Sequence, residues 1–262
     1  MEKGKMNVRT SSKTHAEFIS TKDRIFNGAA KDFELFTDKD VLNLPSPVRK
    51  YFSSCGYIGT PKTNMMKAIY HDVNFLFGNG KRITIDYVQY NVVNKPARIA
   101  YIGSSMYGIP FEGLDSYVDG KGSMKGVLAG RFTMFNQCGE AMNKAGLTTF
   151  LSECLIIPNA AIQEYITWVD IDALHAKATI SCYGDSASGI FSFHENGEML
   201  SFETNDRKAI ATNGTNQKVK WSAVFSEYRV TESIRKPTKL QAIWHYDDGD
   251  LLYFDSKDVL IK

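Results

Sequence analysis

Short segments with alternating apolar and polar positions follow one another from about residue 67 to the C-terminus. Most junctions between them carry glycine, Asn-Gly or Asp-Gly, which favour the tight turns of hairpins. Alternation with a period of two is typical of strands that bury one face. The pattern therefore predicts a mainly β protein of the α+β kind, a large curved antiparallel sheet or half-barrel that is covered by a few helices.

Three weaker helical signals precede the strands. Apolar positions recur with helical spacing over residues 15–27. Residues 37–40 resemble a capping box, with aspartate in place of the usual glutamate. Ser46-Pro47 is a second start signal, since serine caps the first amides and proline suits the first helical position. That helix is predicted to end at Gly56.

These signals divide the chain into a few parts. The polar residues 1–14 are expected to be disordered, and residues 15–262 are expected to form a single domain. Within that domain, residues 15–56 are the predicted helical cover and residues 67–262 the predicted sheet. One further helix interrupts the strands at residues 139–154, where apolar residues form a stripe and a proline lies beyond the end.

The alternation changes phase within one strand. Ile83, Ile85 and Tyr87 share one face, whereas Val88 begins the opposite phase. A slip of one residue reverses the faces of a strand. We therefore predict a bulge or sharp bend near residues 87–88, which would help to curve the sheet.

Residues 123–135 read as one strand with an unusual face. Glycine inside a strand marks tight curvature or close approach by another group. Two glycines among large apolar residues predict a smooth apolar surface, which either lines a ligand cavity or receives a packed helix. The residues of this face are Met124, Gly126, Leu128, Gly130, Phe132 and Met134.

The composition is that of an ordinary globular protein, with 43% hydrophobic and 23% charged residues. The net charge is +2, with both signs mixed along the chain. This argues against a nucleic-acid partner, because such proteins usually carry a basic stripe. No apolar run is long enough to span a bilayer as a helix, and the N-terminus shows no secretory signal. We therefore expect a cytoplasmic protein without a transmembrane segment.

Metal and cofactor sites lack a sequence signal. The four cysteines are scattered and expected to be reduced, and the five histidines form no H-E-x-x-H motif. Gly120-x-Gly122 has no following helix and therefore reads as a turn rather than a dinucleotide cradle. Residues 247–250 read as a hairpin turn rather than a calcium loop. We predict neither a metal nor a cofactor.

Residues 44–51, Leu-Pro-Ser-Pro-Val-Arg-Lys-Tyr, resemble the opening element of a bacterial family of unassigned function. Many members of that family carry an apolar N-terminal anchor, and the resemblance implies no active site. The strand-rich pattern with its inserted helix is also similar to the half-barrel carriers that shuttle lipoproteins between bacterial membranes, a similarity of architecture that does not fix function. Further residues that resemble the family, in the same order along the chain, are Tyr117, Gly120, Gly122, Leu151, Glu153, Pro158, Phe193, Gly197, Arg207, Trp221 and Trp244.

Three residues are candidates for chemistry. Glu153 ends the predicted helix ahead of an apolar run, and burial there would raise its pKa and suit it to acid/base catalysis. Alternatively, Glu153 forms a structural ion pair with Arg207 or another cation. His71 falls on an otherwise apolar strand face, where a histidine is more often a hydrogen-bonded core residue.

The preferred hypothesis is a protein that binds an apolar small molecule or lipid inside the curved sheet, because such pockets are mostly apolar with few polar groups. One alternative is an acid/base enzyme that uses Glu153 and Arg207, with His71 as a further candidate. Another is a structural or interaction module with a filled core. The oligomeric state stays open. The predicted ligand-binding residues are Met124, Leu128, Phe132, Trp168, Trp221 and Trp244.

Overall fold

One antiparallel sheet of 14 strands dominates the computed structural model, which describes residues 12–27, 34–77, 80–210 and 216–262. A further pair, β11 and β12, forms a separate hairpin. The strands are β1 (Met65–Phe77), β2 (Lys81–Val92), β3 (Ala97–Met106), β4 (Ile109–Val118), β5 (Lys121–Leu128), β6 (Phe132–Cys138), β7 (Ile166–Asp170), β8 (His175–Cys182), β9 (Asp185–Phe193), β10 (Met199–Thr204), β11 (Lys208–Ile210), β12 (Asn216–Lys218), β13 (Lys220–Thr231), β14 (Ile234–Tyr246), β15 (Gly249–Asp255) and β16 (Leu260–Ile261).

The order of strands across the sheet is β6-β5-β4-β3-β2-β1-β15-β14-β13-β10-β9-β8-β7, with β16 paired to β1. Among the described residues β6 and β7 are edges that do not pair with each other, so the sheet is open. Strand β15 lies between β1 and β14 and thereby joins the first six strands to the later ones. The predicted mainly β antiparallel architecture is confirmed.

Four α-helices and one 3₁₀ helix accompany the sheet. Helix α4 contacts β5 and β4 from one half of the sheet and β9 and β8 from the other. Since these strands are far apart in the strand order, the sheet must curve around α4. The helices are α1 (Lys13–Asn27), α2 (Asp38–Val41), α3 (Ser46–Ser54), α4 (Glu140–Ser152) and the 3₁₀ helix at Ala160–Ile162.

The N-terminal prediction of disorder over residues 1–14 is wrong for its last three residues. Helix α1 begins at Lys13, and Ser12 is buried directly before it. Ser12 Oγ accepts a hydrogen bond from His15 N–H at 3.0 Å and donates one to Glu112 Oε1 at 2.6 Å. A serine that caps the first turn and binds the sheet holds this segment in place. Residues 1–11 lie outside the described residues.

The other two helix starts are confirmed. Before α2, the Asp40 carboxylate accepts hydrogen bonds from the Thr37 amide at 2.7 Å and from its hydroxyl at 2.8 Å. Helix α3 begins at Ser46 and ends before Gly56, as predicted. The predicted serine cap is wrong, because Pro45 holds the cap position and Ser46 and Pro47 are the first two residues of the helix. The helix predicted at residues 139–154 is confirmed as α4.

The predicted bulge lies in the partner strand instead of β2. Tyr70 pairs with Tyr87 and Val73 pairs with Ile85, so β1 carries one extra residue at this point. Strand β2 itself pairs with β3 without a slip. Its apolar positions change phase because the second part of the strand is covered on both faces. Val88 and its in-phase neighbours pack under α1, whereas the opposite phase faces the main core.

The predicted strand at residues 123–135 is wrong, because a turn divides it into β5 and β6. Ala129 and Gly130 adopt left-handed φ values of 54° and 70° and reverse the chain. Leu128 then pairs with Phe132 across the hairpin instead of preceding it along one face. Phe132 is 68% exposed. The apolar alternation continued through the turn and concealed it.

Glycine permits two close approaches beside this hairpin. A Cβ atom at Gly126 would collide with the ring of Phe135 on β6. A Cβ atom at Gly122 would collide with the carbonyl oxygen of Met142 on α4. The first glycine thus admits an aromatic ring, and the second lets α4 lie directly on the sheet.

Two clusters of buried apolar side chains hold the layers together. The larger cluster joins α3 and α4 to the concave face of the sheet, with Phe52 and Leu147 fully buried within it. The smaller cluster lies under α1 on the opposite face and contains Phe18 and Ile25. No helix among the described residues combines the length and apolarity that crossing a bilayer requires.

Candidate functional site

A cavity of about 730 Å³ lies between the concave face of the sheet and α4. Its walls come from β1 and β2 on one side, from β13, β14 and β15 on the other, and from α4 above. The hairpin β11–β12 contributes to the wall beside α4. Most lining side chains are aromatic or aliphatic, among them Phe75, Ile85, Phe135, Phe225 and Leu240.

A pair of small residues leaves space in the floor of the cavity. Ala223 of β13 pairs directly with Ala242 of β14, and both line the cavity. Their neighbours two residues away on the same face are large, with Trp221 paired to Trp244 on one side. Side chains of one face recur every two residues, so the alanines form a trough between bulky pairs.

A polar network interrupts this apolar surface where α4 ends. The Glu153 carboxylate follows the last turn of α4, and its Oε2 atom accepts hydrogen bonds from Gln89 Nε2 and Asn91 Nδ2, both at 2.7 Å. Gln89 Nε2 also donates to Asn91 Oδ1 at 2.8 Å. The two amides lie two residues apart on the same face of β2. The network therefore ties the end of α4 to the sheet.

Arg98 of β3 completes the network and has its charge balanced by two carboxylates. Its guanidinium donates to Asp115 Oδ2 at 2.6 Å, to Tyr87 Oη at 2.7 Å and to Gln89 Oε1 at 3.2 Å. Its Nε atom lies 3.7 Å from Glu153 Oε2. Arg98 is only 3% exposed, so these partners replace water that the buried cation has lost, while its Nε atom has no hydrogen-bond partner among the described residues.

The environment of Glu153 raises the pKa of its carboxyl group. Burial raises its pKa above the ordinary glutamate value, and the charge of Arg98 together with the two amide hydrogen bonds offsets only part of that effect. The Oε1 atom makes no hydrogen bond to any described residue, while the side chain borders the cavity. This group can therefore give or take a proton beside a bound molecule.

Arg207 lies at a different part of the cavity wall, just before β11. Its guanidinium sits over the rings of Trp221 and Trp244, 4.5 and 5.5 Å from their centres. One terminal nitrogen donates to Thr149 Oγ1 of α4 at 3.0 Å. Within the part of the chain that the structure describes, its buried Nε atom has no hydrogen-bond partner and its charge has no ion-pair partner.

Two of the three candidates for chemistry thus border one cavity. Glu153 and Arg207 both line it, but Glu153 pairs with Arg98, whereas Arg207 contacts Thr149 and the two tryptophans. His71 does not join them. It lies in the bulge of β1 with half of its side chain exposed, 3.4 Å from Asp86 Oδ1. Because of the bulge, His71 does not lie on the apolar strand face that the sequence pattern predicted for it.

The structure also separates the six residues that were predicted to bind ligand. Met124, Trp221 and Trp244 line the cavity. Leu128 and Phe132 do not, because the hairpin turn carries them to the far end of β5 and β6. Trp168 is also outside the lining, since it packs on Phe191 and donates its indole N–H to the Ala161 carbonyl at 2.8 Å.

Sequence reasoning missed the polar residues of β2 that bind Glu153 and Arg98. Tyr87, Gln89 and Asn91 continue the inward-facing phase of β2, and this run of polar groups in a strand that is otherwise apolar was an available signal. Arg98 and Asp115 gave no such signal, because their partners come from other strands and from α4. The described residues contain no group of three or more histidine, cysteine, aspartate or glutamate side chains that could hold a metal ion.

Comparison with solved structures gives several distant similarities, among them the following three. A LolA superfamily protein from Nitrosomonas europaea has 10% identity and a TM-score of 0.40, covering 81% of this chain and 92% of that chain. A putative outer membrane lipoprotein-sorting protein domain from Vibrio parahaemolyticus has 10% identity and a TM-score of 0.38, covering 76% and 84%. A DUF1329 family protein from Desulfovibrio piger has 11% identity and a TM-score of 0.40, covering 83% and 93%.

Comparison of the sequence itself gives a more direct result. No curated protein matches it significantly. The model of a family of unknown function, DUF6544, matches residues 34–256. That match includes every strand of the sheet except β16, together with α2, α3 and α4. The chain therefore belongs to the family of unknown function DUF6544.

Proposed function

We propose that the protein binds a hydrophobic or lipid-like small molecule in the cavity between the sheet and α4. The observation that carries this proposal is an apolar hollow of about 730 Å³ between the sheet and α4. Small-molecule sites are usually clefts of roughly 300–1,000 Å³ with apolar walls and a few well-placed polar groups. The cavity has this size and this distribution of side chains.

The physical reason for binding is the removal of apolar surface from water. An apolar chain in the trough over Ala223 and Ala242 would cover the rings of Trp221, Trp244 and Phe225, and burial of apolar area contributes roughly 25 cal/mol per Å². The polar groups of the network around Glu153 and Arg98 are already hydrogen-bonded to one another, so such a ligand would not deprive them of partners. The ligand would instead occupy the apolar part of the space.

Filling the trough tests this proposal. Binding of the apolar fluorescent probe N-phenyl-1-naphthylamine is measured for the wild type, for Ala223→Phe and for Ala242→Phe. Each added ring would project into the cavity, and we expect the affinity to fall by at least about tenfold, which corresponds to 1.4 kcal/mol.

The matched control is Val230→Phe, which adds a phenyl ring to the same strand at a position that is 67% exposed and outside the lining. Its affinity for the probe should equal that of the wild type. Native mass spectrometry of gently purified wild-type protein should also show an apolar adduct. No saturable probe binding by the wild type, or equal binding by all four proteins, would refute the proposal.

A second candidate function, acid/base catalysis, rests on Glu153. Its carboxyl borders the cavity, is held by two amides and has a raised pKa, which are properties of a general acid or base. The test is chemical analysis of the molecules that copurify with the wild type and with Glu153→Gln. Catalysis predicts a converted product on the wild type and an unconverted precursor on the variant, and identical molecules on both would count against it.

A further inference from the structure

We propose that Arg207 recognises an anionic oxygen group, so that the ligand is an amphiphile with a long apolar chain and a carboxylate or phosphate head. This inference rests on the proposed binding of a hydrophobic molecule and specifies its chemical class. It assigns the head to the part of the cavity between α4 and the tryptophan pair. The chain would lie along β13 and β14.

The first argument is the fixed position of the guanidinium. Arg207 is stacked over Trp221 and Trp244 and anchored to α4 through Thr149. Arginine presents a rigid planar fork of donors that matches the two oxygens of a carboxylate or phosphate. A fork that is held on an aromatic pair loses less conformational entropy on binding an anion than a free side chain would.

The second argument is charge. The other buried cation of the cavity, Arg98, is neutralised by Asp115 and Glu153. Arg207 has no such partner within the described ranges, and the carboxylate of the adjacent Asp206 is occupied by the amide and hydroxyl of Ser188 at 2.7 and 3.1 Å. Lys208 also borders the cavity but is exposed, so Arg207 is the partly buried cation there for which a ligand can supply the counter-charge.

The third argument is an unused donor. The Nε atom of Arg207 is buried and has no hydrogen-bond partner among the described residues. A buried donor that has exchanged water for no other partner destabilises the protein. An anionic oxygen beside the guanidinium would satisfy this donor, whereas a neutral hydrocarbon would leave it unsatisfied. The protein therefore gains more from a ligand with an anionic head than from its apolar analogue.

The fourth argument is the direction of the apolar surface. From the tryptophan pair, the cavity-facing positions of residues 221–225 and 240–244 run away from Arg207 along two paired strands. At 3.3 Å per residue, residues 221–225 extend for about 13 Å. The cation thus stands at one end of an elongated apolar floor, which is the geometry that an amphiphilic chain requires.

Chain-matched ligands test the inference. Affinities are measured for palmitate, hexadecyl phosphate and the neutral hexadecanol with the wild type, Arg207→Gln and Arg207→Lys. We expect the wild type to bind at least one anionic ligand about tenfold or more tightly than hexadecanol, a ratio typical of one charge-assisted interaction. The palmitate and phosphate arms identify which head the site prefers.

The variants assign the preference to Arg207. Arg207→Gln should bind all three ligands with the same affinity, and a circular dichroism spectrum that matches the wild type shows that the variant is folded. Arg207→Lys, which keeps the charge but loses the fork, should retain a reduced preference. The control Arg229→Gln changes an exposed arginine that pairs with Asp258, and it should behave like the wild type.

The outcomes separate this inference from the function on which it rests. If the wild type binds hexadecanol as tightly as both anionic ligands, Arg207 does not select a head group, while hydrophobic binding stands. If Arg207→Gln keeps the full preference, another group provides it and the inference is refuted. If the wild type binds none of the three ligands, the inference and the proposed function both fail.

Discussion

Glu153 shows how one buried carboxyl serves the structure while staying titratable. Two amides of β2 and the guanidinium of Arg98 surround it, yet burial outweighs them and raises its pKa. The folded protein therefore holds the proton of this group more tightly than the unfolded chain does. By linkage, this difference makes the free energy of unfolding depend on pH.

The first prediction concerns the pH dependence of stability. Above the ordinary glutamate pKa of about 4.3, the unfolded chain loses the proton of Glu153 while the folded protein still holds it. The contribution of Glu153 to stability is thus present in full below this pH and declines as the pH rises through the folded-state pKa. The measurement is urea unfolding of the wild type and of Glu153→Gln, in which a neutral amide replaces the acid, at a series of pH values.

When the free energy of unfolding of one protein is subtracted from that of the other, the contributions of all other titrating groups cancel. We expect the wild type to lose stability relative to Glu153→Gln as the pH rises above about 4.3. A relative gain would show that the attraction to Arg98 exceeds the effect of burial. A difference that stays constant with pH would show that the pKa of Glu153 is the same in both states.

The second prediction concerns Gly146 in the middle of α4. A Cβ atom there would lie 2.7–2.9 Å from atoms of the fully buried Tyr117. Alanine normally stabilises a helix relative to glycine by about 1 kcal/mol. We nevertheless expect Gly146→Ala to lower the free energy of unfolding by about 2 kcal/mol, because overpacking a closed interface costs more than the gain in helix propensity.

The control is Gly103→Ala, where the nearest atom would be the Tyr101 ring at an ordinary 3.8 Å. That substitution should be neutral or slightly stabilising, because glycine weakens a strand. Urea unfolding monitored by circular dichroism measures both variants. If Gly146→Ala proves as stable as Gly103→Ala, the close packing of α4 on Tyr117 is not rigid.

Among single residues, the sequence could identify those whose burial is indicated by the residues next to them in the chain. Glu153 ends an apolar helix and precedes an apolar run, so its burial could be anticipated. Arg98 could not be singled out, because its partners Asp115 and Glu153 reach it from another strand and from α4. Long-range pairing of this kind leaves no local pattern in the chain.

At the scale of elements, α1 differs from the other helices in the face of the sheet that it covers. Phe18 and Ile25 pack on the convex side against Val88, Val92 and other residues of a separate small cluster. The phase change that the sequence shows in β2 is the mark of this second covered face. A sequence pattern alone cannot distinguish a strand buried on both faces from one that slips by a residue.

The third prediction follows from this separate cluster. Phe18→Ser should detach α1, so that the amides of Lys13–Asn27 exchange hydrogen much faster, while α4 and the central strands keep their protection. The Phe18 ring meets Tyr90 and Tyr101 at 5.9 and 5.6 Å, and serine cannot replace these contacts. Hydrogen exchange followed by mass spectrometry measures the effect.

Ala16→Ser is the control for this experiment, since it changes an exposed residue of the same helix. It should leave the exchange of α1 unaltered. If Phe18→Ser also accelerated exchange throughout α4 and the central strands, α1 would be part of the main cooperative unit and the prediction would be wrong.

Most strands were predictable as elements, because alternation and turn residues report local structure directly. The hairpin of β5 and β6 was not, since its turn at Ala129 and Gly130 sits inside an unbroken apolar alternation. This error displaced two predicted ligand-binding residues from the cavity. The position of α4 inside the curved sheet could not be derived either, because it depends on contacts with strands of both halves.

At the scale of the whole molecule, β15 and α4 are the elements that join the two halves of the sheet. Strand β15 pairs with β1 and β14, and α4 packs on strands of both halves. One large apolar cluster runs from Phe52 and Ile85 to Phe191 and Phe225 without a break. A shared core of this kind predicts that the halves unfold together.

The fourth prediction tests this cooperativity. All three tryptophans, Trp168, Trp221 and Trp244, lie in strands of the later half, so their fluorescence reports that half, whereas circular dichroism reports the entire sheet. In urea the two signals should change with the same midpoint and the same slope, as two-state unfolding requires. A change in circular dichroism that precedes the change in fluorescence would show that the first half unfolds independently.

The late position of β15 also matters while the protein is being made. A ribosome completes β1 and β14 before it has added the strand that belongs between them, so the growing chain carries two inner edges in addition to β6 and β7. Unpaired strand edges are templates for aggregation. Translation that stops before Gly249 would release a chain with four open edges and a cavity whose two walls are no longer joined by a strand. Residues 249–255 thus determine whether the two walls of the cavity form one sheet.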